Sequence, residues 1–97
     1  MSNSNKGFKV FEDILKCKWT LRILDRLIDG DNRPGQLKRN IKGLTAKVMY
    51  ERLKKLENFG IISRKPITEK PLEVHYNLTA KGKKVSKLIN QIKDIDL

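Results

Sequence analysis

Between Pro34 and Asn58 the chain is written as two helices of unequal length that cannot be one. Leu37 and Ile41 stand at i and i+4 in a segment of about two turns, begun by Pro34, whose fixed φ and missing N–H suit a first helical turn. Gly43 interrupts this segment, since glycine costs helical stability and permits a turn. Thr45 then caps a longer helix that runs to Asn58, with Leu44 and Met49 placed as a hydrophobic staple across its start and Gly60 just past its end. A short helix, a tight glycine-containing turn and a longer helix form a helix-turn-helix unit over 34–58.

Neither helix is stable alone, so the flanking segments must supply the core. From Trp19 to Asp29 a wide apolar face (Trp19, Ile23, Leu24, Leu27, Ile28) opposes a polar stripe, and Gly30 ends the pattern. Downstream, Ile61 to Lys65 reads as a strand that meets Pro66, and Leu72 to Leu78 as a second strand. In the second, Val74, Tyr76 and Leu78 face one side and Glu73, His75 and Asn77 the other. The polar Pro66–Pro71 stretch between them makes a hairpin with a protruding tip, a wing over 61–78. Thr79 caps a last helix in which Val85, Leu88, Ile89, Ile92 and Ile95 keep a 3.6-residue period. The expected fold is α+β and mainly helical: one winged helix-turn-helix domain over 1–97, with a flexible tail at 1–7, terminal helices at 8–15 and 80–95, and a two-stranded wing.

Charge gives the partner class. Lys and Arg number 22 against 11 acidic residues. From Arg33 to Lys87 there are 15 basic and 4 acidic residues, so the two ends are charge-balanced and the whole excess lies around the helix-turn-helix and wing. Such concentration is an electrostatic footprint for a polyanion, and duplex nucleic acid is the expected partner. The ends carry apolar side chains instead: Phe8, Phe11, Ile14 and Leu15 at one, Leu88, Ile89, Ile92, Ile95 and Leu97 at the other. A 97-residue monomer would struggle to cover them all, which implies a homodimer.

Other function classes find little support. No apolar run is long enough to span a bilayer and residues 1–6 are polar, so a cytoplasmic protein without membrane contact is expected. One cysteine and one histidine make no zinc site, and no metal or cofactor is expected. With no phosphate-cradling glycine loop and no Ser/His/Asp set to assemble, the chain does not read as an enzyme. The competing reading is a winged helix used as a protein or RNA interaction module, because fold alone does not fix function.

Three blocks sharpen the picture: KWTLRIL at 18–24, LTAKVMYERLKKLENFGIISRK at 44–65 and VHYNLTAKG at 74–82. In order and spacing they resemble the HxlR family of regulators, a branch near the MarR-type winged helix proteins. The resemblance covers Lys16 to Leu88 and implies a dimeric transcription factor, with the terminal helices at the dimer interface and the 45–58 helix reading DNA. The interface would use Phe8, Phe11, Leu15, Leu88, Ile89, Ile92 and Ile95. Two departures stand out: Lys16-Cys17 replaces the family's usual Gly-Gly pair, and Pro34 stands where an aromatic is usual.

On the 45–58 helix, Val48, Met49, Leu53 and Leu56 take the inward face, leaving Lys47, Tyr50, Glu51, Lys54 and Asn58 outside. The N-terminal half of a recognition helix enters the major groove, so Thr45, Ala46, Lys47, Tyr50 and Glu51 are the candidates for base edges. Lys38, Arg39, Lys42, Arg52, Lys54 and Lys55 read as phosphate contacts. In the wing, Arg64, Lys65, Thr68 and Lys70 are placed for an adjacent minor groove or its phosphates. Lys81, Lys83, Lys84 and Lys87 fit either a solvated face or backbone contact, and His75 reads as wing surface. Cys17, between Lys16 and Lys18, is either a small buried residue or a reactive thiol answering a redox effector; a small-molecule effector is the other option. Aligned by the Trp, the family's sensing cysteine falls at about Lys6, so the resemblance does not carry that role to Cys17.

Overall fold

In the computed structural model, which describes residues 6–95, the order is α1 (Lys6–Lys16), α2 (Lys18–Ile28), α3 (Pro34–Asn40), α4 (Ala46–Asn58), β1 (Ile62–Glu69), β2 (Leu72–Leu78) and α5 (Ala80–Lys93). Five helices and one antiparallel hairpin give the winged helix-turn-helix expected from the pattern. Of the expected tail, residues 1–5 lie outside the described residues and the next two belong to α1.

The core is built where the apolar faces converge. Ile23, Leu24 and Leu27 of α2 meet Leu37 of α3 and Met49, Leu53 and Leu56 of α4, closed below by Ile14, Ile61, Ile62, Tyr76 and Ile89. Leu44 and Met49 are both buried across the start of α4, and the Thr45 hydroxyl accepts from the Val48 N–H at 3.2 Å, so staple and cap are both made. Gln36 accepts from the N–H groups of Asn32 and Arg33 at the start of α3. Ile41 is buried, but as the extended residue just past α3 rather than within it.

Two helices end in the same way. At α2 the Gly30 N–H bonds the Leu27 carbonyl and the Asp31 N–H the Arg26 carbonyl; at α4 Gly60 bonds Glu57 and Ile61 bonds Leu56. Gly30 (φ 106°) and Gly60 (φ 76°) take the left-handed conformation this closure requires. Past Gly30, Asp31 accepts from Arg26 (2.9 Å) and Asn40 (2.8 Å), tying the end of α2 to the end of α3. The Asn40 amide and the Arg26 guanidinium hold its carboxyl below the ordinary aspartate range.

The wing departs from expectation on one side. β1 does not stop at Pro66: it continues to Glu69, with Pro66 opposite Val74 and a bulge before Thr68, so only Lys70 and Pro71 form the turn. The sheet has two strands, both of them edges, and a proline on an edge costs no ladder bond if its nitrogen faces outward. β2 is bonded on its far side by the Asn32 carbonyl, which accepts from the Tyr76 N–H at 2.7 Å.

The tightest contact is at Gly82, where α5 crosses the start of β1. A Cβ there would lie 2.0 Å from the Ile61 carbonyl oxygen, a backbone atom that cannot swing aside. We expect Gly82→Ala to cost about 3 kcal/mol or more and to lower the melting temperature by at least about 10 °C. Gly35→Ala in α3 is the control: its Cβ would meet only the flexible end of Arg39 at 3.7 Å. Helix propensity should then raise the melting temperature by a few degrees at equal protein concentration.

Candidate nucleic-acid interface

The outer face of α4 presents Ala46, Lys47, Tyr50, Glu51 and Lys54 to solvent, with Thr45 exposed at its start. Tyr50 is 51% exposed although it is a large aromatic side chain. Lys38, Arg39 and Lys42 are exposed on and just after α3, so the two helices of the motif offer one continuous cationic surface. Among the described residues, the ion pairs lie elsewhere: Arg26 with Asp29 and Asp31, Glu73 with Arg33 and His75, and Lys93 with Asp25. Those α3 and α4 cations thus enter no internal ion pair, though the Arg39 charge helps to hold the Asp31 carboxyl down.

Two expected phosphate contacts sit differently. Arg52 is half-buried, its Nε closed off from solvent without a hydrogen-bond partner, and its charge acts on the Cys17 thiol at the start of α2. It stands one position from Leu53, on the flank of α4 that turns toward α2. Lys55 is also half-buried, its ammonium 5.9 Å from the Phe59 ring centre.

The wing joins this surface at its root. Arg64 stands opposite Tyr76 in the hairpin, and the two share an open cleft of about 340 Å³ with Tyr50, Lys54 and Glu57. Burial raises the Tyr76 pKa, and Arg64 only partly offsets this. Arg64 is therefore at the junction of wing and α4, whereas Lys65, Thr68 and Lys70 lie exposed further out. The Thr68 hydroxyl donates to the Pro71 carbonyl at 2.6 Å and closes the turn. On the other face His75 is half-buried, its Nε2 2.9 Å from Glu73, which also faces Arg33 at 3.8 Å. His75 is thus tied to Glu73 by a hydrogen bond rather than being free wing surface.

Around Cys17 the helix start is polar. The thiol is half-buried, and burial, the largest single influence, pushes its pKa up. The Thr20 hydroxyl, the backbone N–H groups of Thr20 and Trp19, and the Arg52 charge together outweigh it, so the pKa is lowered. Trp19 lies beside this site with Lys18 at 4.9 Å and Arg22 at 6.0 Å from its ring.

The terminal helices leave apolar surface uncovered. Phe8, Leu15, Leu88, Ile92 and Ile95 are all 43–67% exposed, and α1 and α5 flank an apolar groove of about 470 Å³ lined by Phe8, Val10, Phe11, Val85 and Leu88. Ile89 differs from the rest of the expected interface set: it is buried in the chain's own core. Leu97 lies outside the described residues. Among the described residues no cluster of three His, Cys, Asp or Glu side chains is placed to hold a metal, and no helix is long and apolar enough to cross a membrane.

The family model for HxlR-like helix-turn-helix proteins matches residues 14–96. The chain belongs to that family. Among curated relatives of this HxlR-like chain, the HTH-type transcriptional regulator YvaP of Bacillus subtilis is 34% identical over 85 residues, covering 88% of this chain and 79% of YvaP. The reduced form of the B. subtilis transcriptional regulator YodB superposes with a TM-score of 0.76 at 29% identity, covering 96% of this chain and 88% of that one. A MarR-family regulator from Enterococcus faecalis V583 gives a TM-score of 0.79 at 27% identity, over 95% and 84% of the two chains. The HxlR-like chain is accordingly a helix-turn-helix transcriptional regulator and not an enzyme.

The site makes a chemical prediction. The alkylation rate of Cys17 by iodoacetamide, followed against pH by mass spectrometry, should show a midpoint below that of an ordinary thiol. Thr20→Val, which keeps the buried shape and removes the hydroxyl, should move that midpoint up.

Proposed function

We propose that the chain binds duplex DNA as a homodimer, with the N-terminal half of α4 in the major groove, α3 on the backbone and the wing on the flanking backbone or minor groove. The observation that carries this reading is the cationic face of α3 and α4, where Lys38, Arg39, Lys42, Lys47 and Lys54 are exposed and enter none of the ion pairs among the described residues. Within it Lys47 is placed to donate to guanine O6 and N7, Glu51 to accept from cytosine N4 and Ala46 to touch a thymine methyl. Lys38, Arg39, Lys42 and Lys54 hold phosphates, joined from the wing by Lys65 and Lys70. Arg52 takes a supporting role from its half-buried place beside α2, and Arg64 fixes the wing against α4.

The apolar ends support the dimer. Phe8, Phe11, Leu15, Leu88, Ile92 and Ile95 of one copy meet those of a second, and Ile89 supports the interface from within the core. Light scattering at micromolar concentration should give a dimer mass, and Leu88→Glu should shift it toward monomer and weaken duplex binding together.

For regulation the proposal assigns a redox effector to Cys17. YodB has been crystallised both reduced and after diamide treatment, and in this chain the Arg52 charge of α4 helps to lower the pKa of the Cys17 thiol. Diamide with added glutathione, which would join Cys17 in a mixed disulfide as diamide is reduced to its hydrazine, should change duplex affinity in the wild type and leave Cys17→Ser unaffected.

The deciding experiment titrates a duplex taken from the DNA flanking the protein's own gene at several salt concentrations. If each protomer neutralises three to five phosphates, log K should fall with log salt at a slope of magnitude roughly 5 to 9. Lys38→Ala should reduce that slope by about 2 per dimer, whereas Lys47→Ala should cost about 1–3 kcal/mol at the cognate duplex and relax sequence preference. Loss of duplex binding in favour of an RNA or protein ligand would establish the interaction-module reading instead.

A further inference from the structure

The wing carries a feature that a phosphate-binding arm does not need. Beyond the last buried residues of the hairpin, two aliphatic side chains stand in solvent: Ile67 is 45% and Leu72 is 65% exposed. Leu72 continues, at a spacing of two, the stripe of Val74, Tyr76 and Leu78 that packs on the core. Ile67 occupies the bulge between Pro66 and Thr68, the point at which a strand re-aims a side chain. The tip is also stiff. Pro66 and Pro71 flank it, and the Thr68 hydroxyl bonds the Pro71 carbonyl at 2.6 Å.

We infer that Ile67 and Leu72 form an apolar wedge that enters the minor groove of the duplex flanking the site read by α4. The inference rests on the DNA-binding reading and adds to it a residue pair and a groove preference. Placement argues for this occupant. Arg64, at the root of the wing, lines one open cleft with Tyr50 and Lys54 of α4, so a duplex seated on α4 passes along the hairpin. From Arg64 to Glu69 the strand extends about 16 Å, at roughly 3.3 Å per residue. That reach exceeds the major-groove width of about 12 Å and brings the tip across one strand to the next minor groove. Charge at the tip is mixed but net cationic: Lys65 and Lys70 flank the two aliphatic side chains, Glu69 stands exposed opposite Leu72, and Glu73 is engaged by Arg33 and His75. Aliphatic side chains between flanking cations suit a groove with apolar sugar walls and phosphate rims, and a rigid tip loses little freedom on entering it.

The groove preference follows from one atom group. The guanine 2-amino group projects from the minor-groove floor and obstructs an apolar wedge; A·T pairs lack it. Inosine·C pairs lack it as well while presenting the major-groove face of G·C at O6 and N7.

The test uses the full chain and three duplexes sharing the α4 site from the DNA flanking its own gene, with flanks of A·T, G·C or inosine·C pairs. The wild type should bind the A·T and inosine·C duplexes about tenfold more tightly than the G·C duplex. The double variant Ile67→Ser/Leu72→Ser, checked for an unchanged melting temperature, should bind all three alike, with the wild-type salt slope. Lys70→Ala should do the reverse, lowering the slope and keeping the inosine preference. An inosine effect that persists in the Ser/Ser variant overturns the wedge while leaving DNA binding intact. A change in dimer mass in that variant overturns it in favour of a second copy of the chain as occupant. If no duplex binds any form in a salt-sensitive way, it is the DNA-binding reading itself that has failed.

Discussion

The peptide group of Ile61 is the point on which the arrangement depends. Its N–H closes the end of α4 on the Leu56 carbonyl, and its own carbonyl accepts from the Thr79 N–H at 3.0 Å and from the Thr79 hydroxyl at 3.1 Å. Against that same carbonyl α5 lays Gly82, the one residue type without an atom to collide there. The Thr79 hydroxyl also meets the Gly60 carbonyl and accepts from the Gly82 N–H, so α4, the wing and α5 are joined within a few residues. With the Ile61 side chain fully buried, these groups exchange water for one another, and an unpaired member would cost on the order of 1–3 kcal/mol. The orientation of the wing relative to α4 is thereby set by backbone geometry rather than by adaptable side chains.

This junction explains how a short chain keeps two incompatible surfaces apart. A concentrated basic face repels itself and opposes compactness, while exposed apolar side chains favour burial wherever they find a partner. Mixed on one face, each would weaken the use of the other. Here the cations concentrate on α3, on the outer side of α4, along the wing and in the first half of α5 (Lys81, Lys83, Lys84, Lys87), and the uncovered aliphatic and aromatic side chains lie on α1 and mainly in the second half of α5. The carboxylates follow the same division: Asp25, Asp29 and Asp31 are engaged around α2, leaving Glu51 as the exposed acid on the outer face of α4. A lone acid in a cationic field repels phosphate, which makes sense if its partner is a base-edge amino group.

Much of this was legible in the sequence because it rests on local chemistry. The two-helix motif announces itself through Pro34, Gly43 and Thr45, and the ends of α2 and α4 through Gly30 and Gly60, each a residue with one dominant conformational reason to be where it is. The outer face of α4 follows from period alone. What period cannot give is which flank of a helix meets a neighbour: Arg52 is one step from the outward stripe, and only the approach of α2 turns it toward Cys17. Ile89 reads as interface because the last helix is apolar over more than one face, and only its depth against the core separates it from Leu88 and Ile92. Pro66 misleads for a different reason. Proline argues against an interior strand, and the sequence does not say that both strands of this hairpin are edges. With β1 extended through Pro66, the Lys70–Pro71 turn fixes the register, and the Arg64–Tyr76 pair follows.

The same junction bears on regulation. On the dimeric reading, two copies must present their α4 helices at a separation matching the helical repeat of DNA, about 34 Å between half-sites. That separation is set where α1 and α5 pack on their counterparts, yet it is used at α4. Gly82 against Ile61 couples the two rigidly, so a small rotation of α5 at the dimer interface carries α4 and the wing with it instead of being absorbed in a loop. Cys17 lies at the start of α2, the helix that packs on α4, and feels the charge of Arg52. On the proposed reading, a change in charge or bulk there would act on α4 through α2, while the helices proposed for the dimer would act on its end. On that reading α4 is held between two supports, and a signal that shifted either one would change how two such helices fit a single duplex.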